Sequence, residues 1–281
     1  MAQILSIQSA VVFGRVGHGA SAFPLERLGH DVWRVPTVLL TNHTGYPEFY
    51  GPPVRPDEIR QLLERMRLRF ACDAILTGYL GHPTMAQLVA EQVGALKGDD
   101  PTRTYLCDPV LGDTDKGFYV PEDLVETYRR QLLPNAAMAT PNVFELGALT
   151  GTTPGTLAEI VAAARDLMAF ELQTVVVTSV TQGLAPDEIG LLAVTPHAAD
   201  LVVTPRLPME AKGAGDLVAA LLLAFWLEGR SAAEAAMRAA SIAHAIIAET
   251  HRRGLQELAL IQGQDAIVAP PTLFTPRRVD D

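Results

Sequence analysis

Short apolar runs alternate along this chain with longer segments in which apolar residues recur every three or four positions. The runs read as strands buried on both faces, and the segments as helices with one apolar face. Strands are predicted at Ile4–Ile7, Val32–Leu40, Ala74–Thr77, Thr104–Cys107, Ala136–Ala139 and the strongly β-branched Thr174–Val180. Ile189–Val194 and Leu201–Val203 read as a hairpin at one edge of the sheet. Helices are predicted over Ala20–Leu28, from Pro56 onward with Ile59, Leu62, Leu63 and Met66 on one face, near Thr84–Leu96 and Pro121–Leu132, and over Thr156–Met168. Two long helices, Gly215–Glu228 and Ser231–Arg252, close the fold. Strands and helices alternating in this way pack as a largely parallel sheet flanked by helices, the α/β class. No repeat, low-complexity tract or linker interrupts the pattern, so residues 1–281 are expected to form one domain.

Composition narrows the function. With 48% hydrophobic and 19% charged residues the chain has ample material for a core. A net charge of −10 argues against a general nucleic-acid partner, which requires clustered basic surface. It still permits an anionic ligand, provided backbone N–H groups and local cations meet the charge. Cys72 and Cys107 each lie inside an apolar run and read as core side chains, with no disulfide framework and no zinc spacing. The first residues lack a basic region and a long apolar region, and the most apolar run, Leu217–Leu227, is about half a membrane span. A cytoplasmic protein with no membrane partner is expected.

The stretch Lys212-Gly213-Ala214-Gly215-Asp216 stands directly before the apolar helix. Glycines at a loop-to-helix junction allow close backbone approach to a ligand, and the first N–H groups of a helix have no internal partners. Gly213, Ala214 and Gly215 can therefore form an anion hole for transferring phosphate, with Asp216 placed to take a proton from an attacking hydroxyl. The same residues would also serve a glycine-rich turn whose aspartate caps a helix. Other positions tip the balance. Asn142 and Glu145 follow the strand Ala136–Ala139 and share one face if a helix begins there. Glu145 can hold Mg²⁺ through waters, or close a helix-start box with Asn142. Asp108 ends the strand Thr104–Cys107 and supplies a second carboxylate where open α/β sheets place ligands.

Taken in order, these segments resemble the pyridoxal kinase family of the ribokinase-like superfamily. The likeness runs over almost the whole chain. It includes Ile7-Gln8-Ser9 with Gly14 and Gly17, Phe23-Pro24-Leu25, Leu28-Gly29, and the distinctive Thr41-Asn42-His43-Thr44-Gly45-Tyr46. Thr77-Gly78-Tyr79-Leu80-Gly81, Cys107-Asp108-Pro109-Val110-Leu111-Gly112-Asp113, Thr140-Pro141-Asn142 with Glu145, and Gly213-Ala214-Gly215-Asp216 follow. The resemblance implies a three-layer α/β/α sandwich and ATP-dependent, Mg²⁺-requiring phosphorylation of the 5′-hydroxymethyl group of pyridoxal. It further implies a homodimer and leaves room for a monovalent cation such as K⁺.

By position, the resemblance makes Asp216 the base and Gly213–Gly215 the anion hole. Ser9 would bond the pyridine end of the substrate, Thr44 and Gly45 would line its pocket, and Val16 and Tyr79 would border the ring. Asp108, Thr140, Glu145 and Thr178, with Gly213, would face ATP, and Asp108 and Glu145 its metal. Gly112–Val120 matches the family's mobile flap over ATP, whose polar, glycine-flanked composition suits a lid that excludes water.

Three positions depart from the family pattern. Ala10 stands where a histidine is usual, His18 where an asparagine is, and Leu40 where an aromatic residue is. All lie at the substrate end, so the choice of substrate rests on fewer residues than the reaction does. Lys212 can reach a phosphate as a point charge or remain a solvated loop lysine. A ribokinase-like kinase for another vitamin, above all hydroxymethylpyrimidine, is the nearest alternative, and Asn42–Tyr46 speaks against it. A non-catalytic B6-binding protein is a second. A dinucleotide-dependent oxidoreductase is a third, but the glycines of Gly14-Arg15-Val16-Gly17-His18-Gly19 are spaced in reverse of the nucleotide-binding loop.

Overall fold

The computed structural model describes residues 1–52 and 54–279. In chain order its elements are β1 (Gln3–Val11), α1 (His18–Arg27), β2 (Asp31–Leu40), α2 (Pro56–Arg67), β3 (Ala74–Thr77), α3 (Pro83–Asp99) and β4 (Thr104–Cys107). A small hairpin, β5 (Gly112–Asp113) and β6 (Gly117–Phe118), precedes α4 (Leu124–Thr127), β7 (Met138–Ala139), α5 (Val143–Thr150) and α6 (Leu157–Leu167). Then come β8 (Thr174–Val180), β9 (Glu188–Thr195), β10 (Ala198–Pro205), α7 (Ala214–Leu227), α8 (Ala232–Arg253), α9 (Gln264–Val268) and β11 (Arg277–Arg278).

One nine-stranded sheet runs in the order β11-β10-β9-β8-β7-β4-β3-β1-β2. From β2 to β8 every neighbouring pair is parallel, and β9, β10 and β11 add an antiparallel edge. The period-two side-chain alternation explains why both faces are apolar. Ile4, Leu76, Leu106, Met138 and Val176 meet Leu25 of α1, Leu222 of α7 and Ile242 of α8. Leu5, Ile75, Cys107 and Val177 face the opposite layer, with Leu63 of α2, Leu88 of α3 and Ile160 of α6. Capping boxes open three helices: Asn142/Glu145 on α5, Thr156/Glu159 on α6 and Ser231/Glu234 on α8.

Several elements differ from their sequence-based bounds. The helix expected over Pro121–Leu132 is α4 followed by a wide π-helical turn, Tyr128–Leu132, and a 3₁₀ turn, Leu133–Asn135. Pro134 has no N–H to continue the ladder, and the wide turn places Tyr128, Leu132 and Leu133 together in the core. β7 keeps only Met138–Ala139, because the N–H of Ala136 is taken by the Leu133 carbonyl. β10 is longer than predicted, since its paired positions continue through the polar residues on its less buried face. Neither α9 nor β11 was anticipated. Among the described residues no helix is long and apolar enough to cross a membrane.

The chain steps outward from β1 to β2 and then crosses back to β3. Strand order therefore reverses between β1 and β3, the place where open parallel sheets hold ligands beyond their carboxyl ends. The loops leaving β1, β2, β3, β4 and β7 all emerge at this edge and meet the start of α7 there.

Candidate active site

Gly213 caps α7 in the left-handed conformation, with φ 80°. A Cβ added there would lie 1.8 Å from the Arg15 carbonyl oxygen, so the loop after β1 and the loop before α7 are in backbone contact. Gly215 is the opposite case: a Cβ there would meet nothing within 4 Å. One glycine lets two backbones touch, and the other leaves the first turn of α7 open; in that turn the Ala214 N–H donates to the Ala211 carbonyl at 3.2 Å and the Asp216 N–H to its own carboxylate.

Asp216 is the third residue of α7. Its carboxylate accepts hydrogen bonds from the backbone N–H groups of Gly17 and of Asp216 itself. Part of its own surface stays open, while protein crowds the carboxyl on most sides. Burial raises its pKa to about 6, and the two backbone hydrogen bonds only partly oppose that rise. Gly17 (φ 52°) lies against Ser9: a Cβ would sit 2.2 Å from the Ser9 carbonyl oxygen and 2.3 Å from its Oγ. Ser9, Gly17 and Asp216 thus form one continuous wall. Ser9 lies within β1 and is buried, rather than capping a turn.

A second group of carboxylates sits beside this wall. Asp108, buried at the end of β4, accepts a hydrogen bond from Thr140 Oγ1 at 2.8 Å. Burial raises its pKa well above the usual carboxylate range, and the charges of Glu145 and Asp216 raise it further. Glu145 is also buried, and burial lifts it to about 7. It accepts from the N–H groups of Leu111 at 2.9 Å and Gly112 at 3.3 Å through Oε1, and from Asn142 at 2.8 Å through Oε2. Glu145 therefore does close a helix-start box, and it also ties the base of the 112–118 hairpin to α5. Asp108 and Glu145 are two buried carboxylates, and a bound dication would relieve the repulsion that Glu145 and Asp216 exert on Asp108. With most lone pairs of Glu145 engaged, its share in such a site is through water. Among the described residues no group of three or more His, Cys, Asp or Glu could hold a metal alone. Mg²⁺ ordinarily draws most of its ligands from phosphates and water, so a pair of carboxylates would be enough protein donors for it.

Behind the carboxylates, Thr77 Oγ1 and Tyr105 Oη are hydrogen-bonded at 2.8 Å, and burial pushes the Cys107 thiol up to about 12. Both cysteines are free and buried, as core side chains should be. Thr178 donates its N–H to Pro141 at 2.9 Å, where the β8–β9 register breaks and Ser179 takes φ 56°. That bulge turns Thr178 toward the β7–α5 junction.

At the other end of the crevice, Val16 is half-buried and Thr44 and Gly45 are exposed in the loop after β2. The Tyr79 carbonyl is held by Thr37 Oγ1 at 2.7 Å. A Cβ on Gly45 would lie 3.4 Å from Lys212 Cε, so Lys212 stretches from the loop before α7 to the loop after β2. Lys212 is not a free solvated lysine, because it pairs with Glu210.

Two features of this region have no motif in the sequence. Lys116, at the tip of the 112–118 hairpin, pairs with the same Glu210 oxygen at 2.6 Å and so latches the hairpin to the anion loop. The two lysines hold Glu210 down to about 2. Because both partners are exposed, Lys116→Ala should change stability by less than about 1 kcal/mol. Faster hydrogen exchange at residues 112–118 is expected instead, and unchanged exchange there would count against a latch. The second feature is Glu257, after α8, whose carboxylate bonds to the loops after β1 and β2.

Known proteins resemble this chain over most of its length. The sequence model of the family described as phosphomethylpyrimidine kinase matches residues 33–260. The pyridoxal kinase PdxY of Rubrobacter xylanophilus is 42% identical, over 98% of this chain and 97% of its own length. The chain belongs to the pyridoxal kinase family. PdxY of Leifsonia xyli is 40% identical over 99% of both chains. Pyridoxal kinase from Leishmania donovani, solved in complex with ADP and pyridoxamine, superposes with a TM-score of 0.92 at 30% identity, over 99% of each chain. The fold is accordingly the ribokinase-like three-layer sandwich.

Proposed function

We propose that this chain transfers the γ-phosphoryl group of ATP to the 5′-hydroxymethyl oxygen of pyridoxal, giving pyridoxal 5′-phosphate and ADP. The observation that carries the reading is full-length likeness to pyridoxal kinases combined with Asp216 at the start of α7 beside buried Asp108 and Glu145. In this reading Ser9 bonds the pyridine end of the substrate, and Val16, Thr44, Gly45 and Tyr79 surround its ring. Asp216 accepts the hydroxyl proton as the oxygen–phosphorus bond forms and the bond to the ADP oxygen breaks. Backbone N–H groups of Gly213–Gly215 meet the charge on the transferring oxygens, that of Ala214 by leaving the Ala211 carbonyl it now bonds. Thr140 and Thr178 face the nucleotide, and the hairpin at residues 112–118 covers it against water. Asp108 and Glu145 would hold Mg²⁺, which when bound neutralises phosphate charge.

A carboxylate raised to about 6 serves as base only above that pH. Below it the group carries a proton, so log kcat/KM should fall with a slope near one as pH drops through about 6. A profile flat from pH 5 to 8 would remove Asp216 from this role.

The description of the matched family model favours a second reading, a kinase of the pyrimidine vitamin precursor. A coupled ADP-release assay with pyridoxal, pyridoxine, pyridoxamine and hydroxymethylpyrimidine separates the two. Turnover confined to the pyrimidine would overturn the first reading. Omitting Mg²⁺, or replacing K⁺ by another monovalent cation, reads the ion requirements in the same assay.

Val12 and Tyr50 are 81% and 73% exposed, beside exposed Phe13, Leu39 and Phe49. These residues gather where β1 and β2 run on through the bonds Val12–Leu40, Phe13–Thr41 and Thr41–Tyr50. An apolar patch of this kind supports a homodimer across that edge. Two free, buried thiols support a cytoplasmic location.

A further inference from the structure

Glu257 lies just past the left-handed cap of α8 at Gly254. Its neighbours Leu258, Ala259 and Leu260 are buried, and the Ala259 N–H donates to Thr250 Oγ1 at 2.9 Å, so the carboxylate stands on a fixed base. Oε2 accepts the Arg15 N–H at 2.5 Å, while Oε1 receives Tyr46 Oη–H at 2.8 Å and faces His43 Nε2 at 3.0 Å. Gly14 makes room for the carboxylate, since a Cβ there (φ 117°) would stand 3.0 Å from Oε2. The His43 and Glu257 side chains are only 14% and 16% exposed.

His43 extends the contact. Its Nδ1 accepts the Gly45 N–H at 3.1 Å, which assigns the ring proton to Nε2, pointing at Glu257. A Cβ on Gly45 would come 2.9 Å from that Nδ1, so the imidazole fills the space behind the loop. One carboxylate thus sets the Arg15–Val16 backbone directly and the Thr44–Gly45 backbone through the His43 ring. Both segments line the crevice at the substrate end, and the Arg15 carbonyl also backs Gly213 in the loop before α7.

We propose that Glu257 is a positioning residue for the vitamin pocket, fixing the Arg15–Val16 and Thr44–Gly45 segments relative to each other. This inference rests on the pyridoxal kinase reading of the same site. Three donors converge on two oxygens that can only accept. Glutamine offers one acceptor oxygen and turns an NH₂ toward a donor, so Glu257→Gln breaks the arrangement with little change of shape.

Losing one charge-assisted hydrogen bond at a wall should raise KM for pyridoxal about tenfold in Glu257→Gln. KM for ATP should stay within about twofold and the melting temperature unchanged, since only uniform substrate binding is lost. His43→Gln should show the same split. The double variant should be no worse than the poorer single one, because both act through one contact chain. Unchanged KM for pyridoxal, parallel rises in both KM values with a lowered melting temperature, or multiplying effects in the double variant would each overturn the proposal. If Glu257→Gln does not fold, Glu257→Asp keeps the charge but is one methylene short, and it must show the same KM split. Should the wild-type enzyme release no ADP with pyridoxal, the functional reading fails first. Hydrogen exchange at residues 14–17 and 43–46 in Glu257→Gln then decides: faster exchange in both loops supports the clamp, and unchanged exchange sinks it.

Discussion

Asp216→Asn is expected to lower kcat about a thousandfold while leaving ATP affinity intact, and at the same time to raise the melting temperature. The loss follows from removing the group that takes the hydroxyl proton, since asparagine can still accept the Gly17 N–H through its amide oxygen. The gain in stability follows from the sign of the pKa shift. Burial raises Asp216 from the usual 3.8 to about 6, so the folded state holds a proton that the unfolded chain has already released. Between those values stability falls as pH rises, and at neutral pH the ionised carboxylate opposes folding. A shift of one unit corresponds to about 1.4 kcal/mol, and partial exposure of the residue discounts the total to about 1–2 kcal/mol. Single-turnover kinetics, calorimetric ATP titration and thermal unfolding at pH 7.5 read the three quantities separately. Near-normal kcat would remove the base assignment, and a lowered melting temperature would remove the electrostatic account.

The second large effect separates two glycines of one motif. At Gly213 a methyl group would lie 1.8 Å from the Arg15 carbonyl, in a residue already at φ 80°. Backbone strain and overpacking together should cost Gly213→Ala about 2–5 kcal/mol, and turnover should disappear as the loop after β1 is pushed from the crevice. Gly215→Ala should fold as the wild type does, because its methyl group would meet nothing within 4 Å. It would instead project into the volume assigned to phosphate and weaken turnover with ATP. Equal stability losses in the two variants, read by denaturant unfolding, would contradict this division of roles.

What could be read from the sequence follows the range of each signal. Side-chain alternation located the parallel strands, because Leu5 and Ile75 fill one layer while Ile4 and Leu76 fill the other. Residues 213–216 were legible because the chemistry is contiguous: the glycines, the helix start and the acid follow one another. Glu145 was legible as a helix-start residue, and it closes that box with Asn142, while its part in a metal site belongs to the proposed function. The π-helical turn at Tyr128–Leu132 was not, since a three-to-four period is nearly the same in a wide turn as in an α-helix. The Lys116–Glu210 latch and Glu257 also escaped, because a polar contact between distant loops leaves no period, and an isolated glutamate before a buried run reads as ordinary surface.

Those long separations govern when the enzyme becomes competent. β1, β3 and β4 are all complete by Cys107, and the parallel core they begin can assemble from the growing chain. Glu257 reaches the loops after β1 and β2 across 211 to 242 residues, so under the proposed reading the pocket walls stay unclamped until the segment past α8 has been synthesised and docked. A nascent chain, or one nicked beyond Gly254, would therefore hold its sheet and its phosphate loop before it could select a substrate.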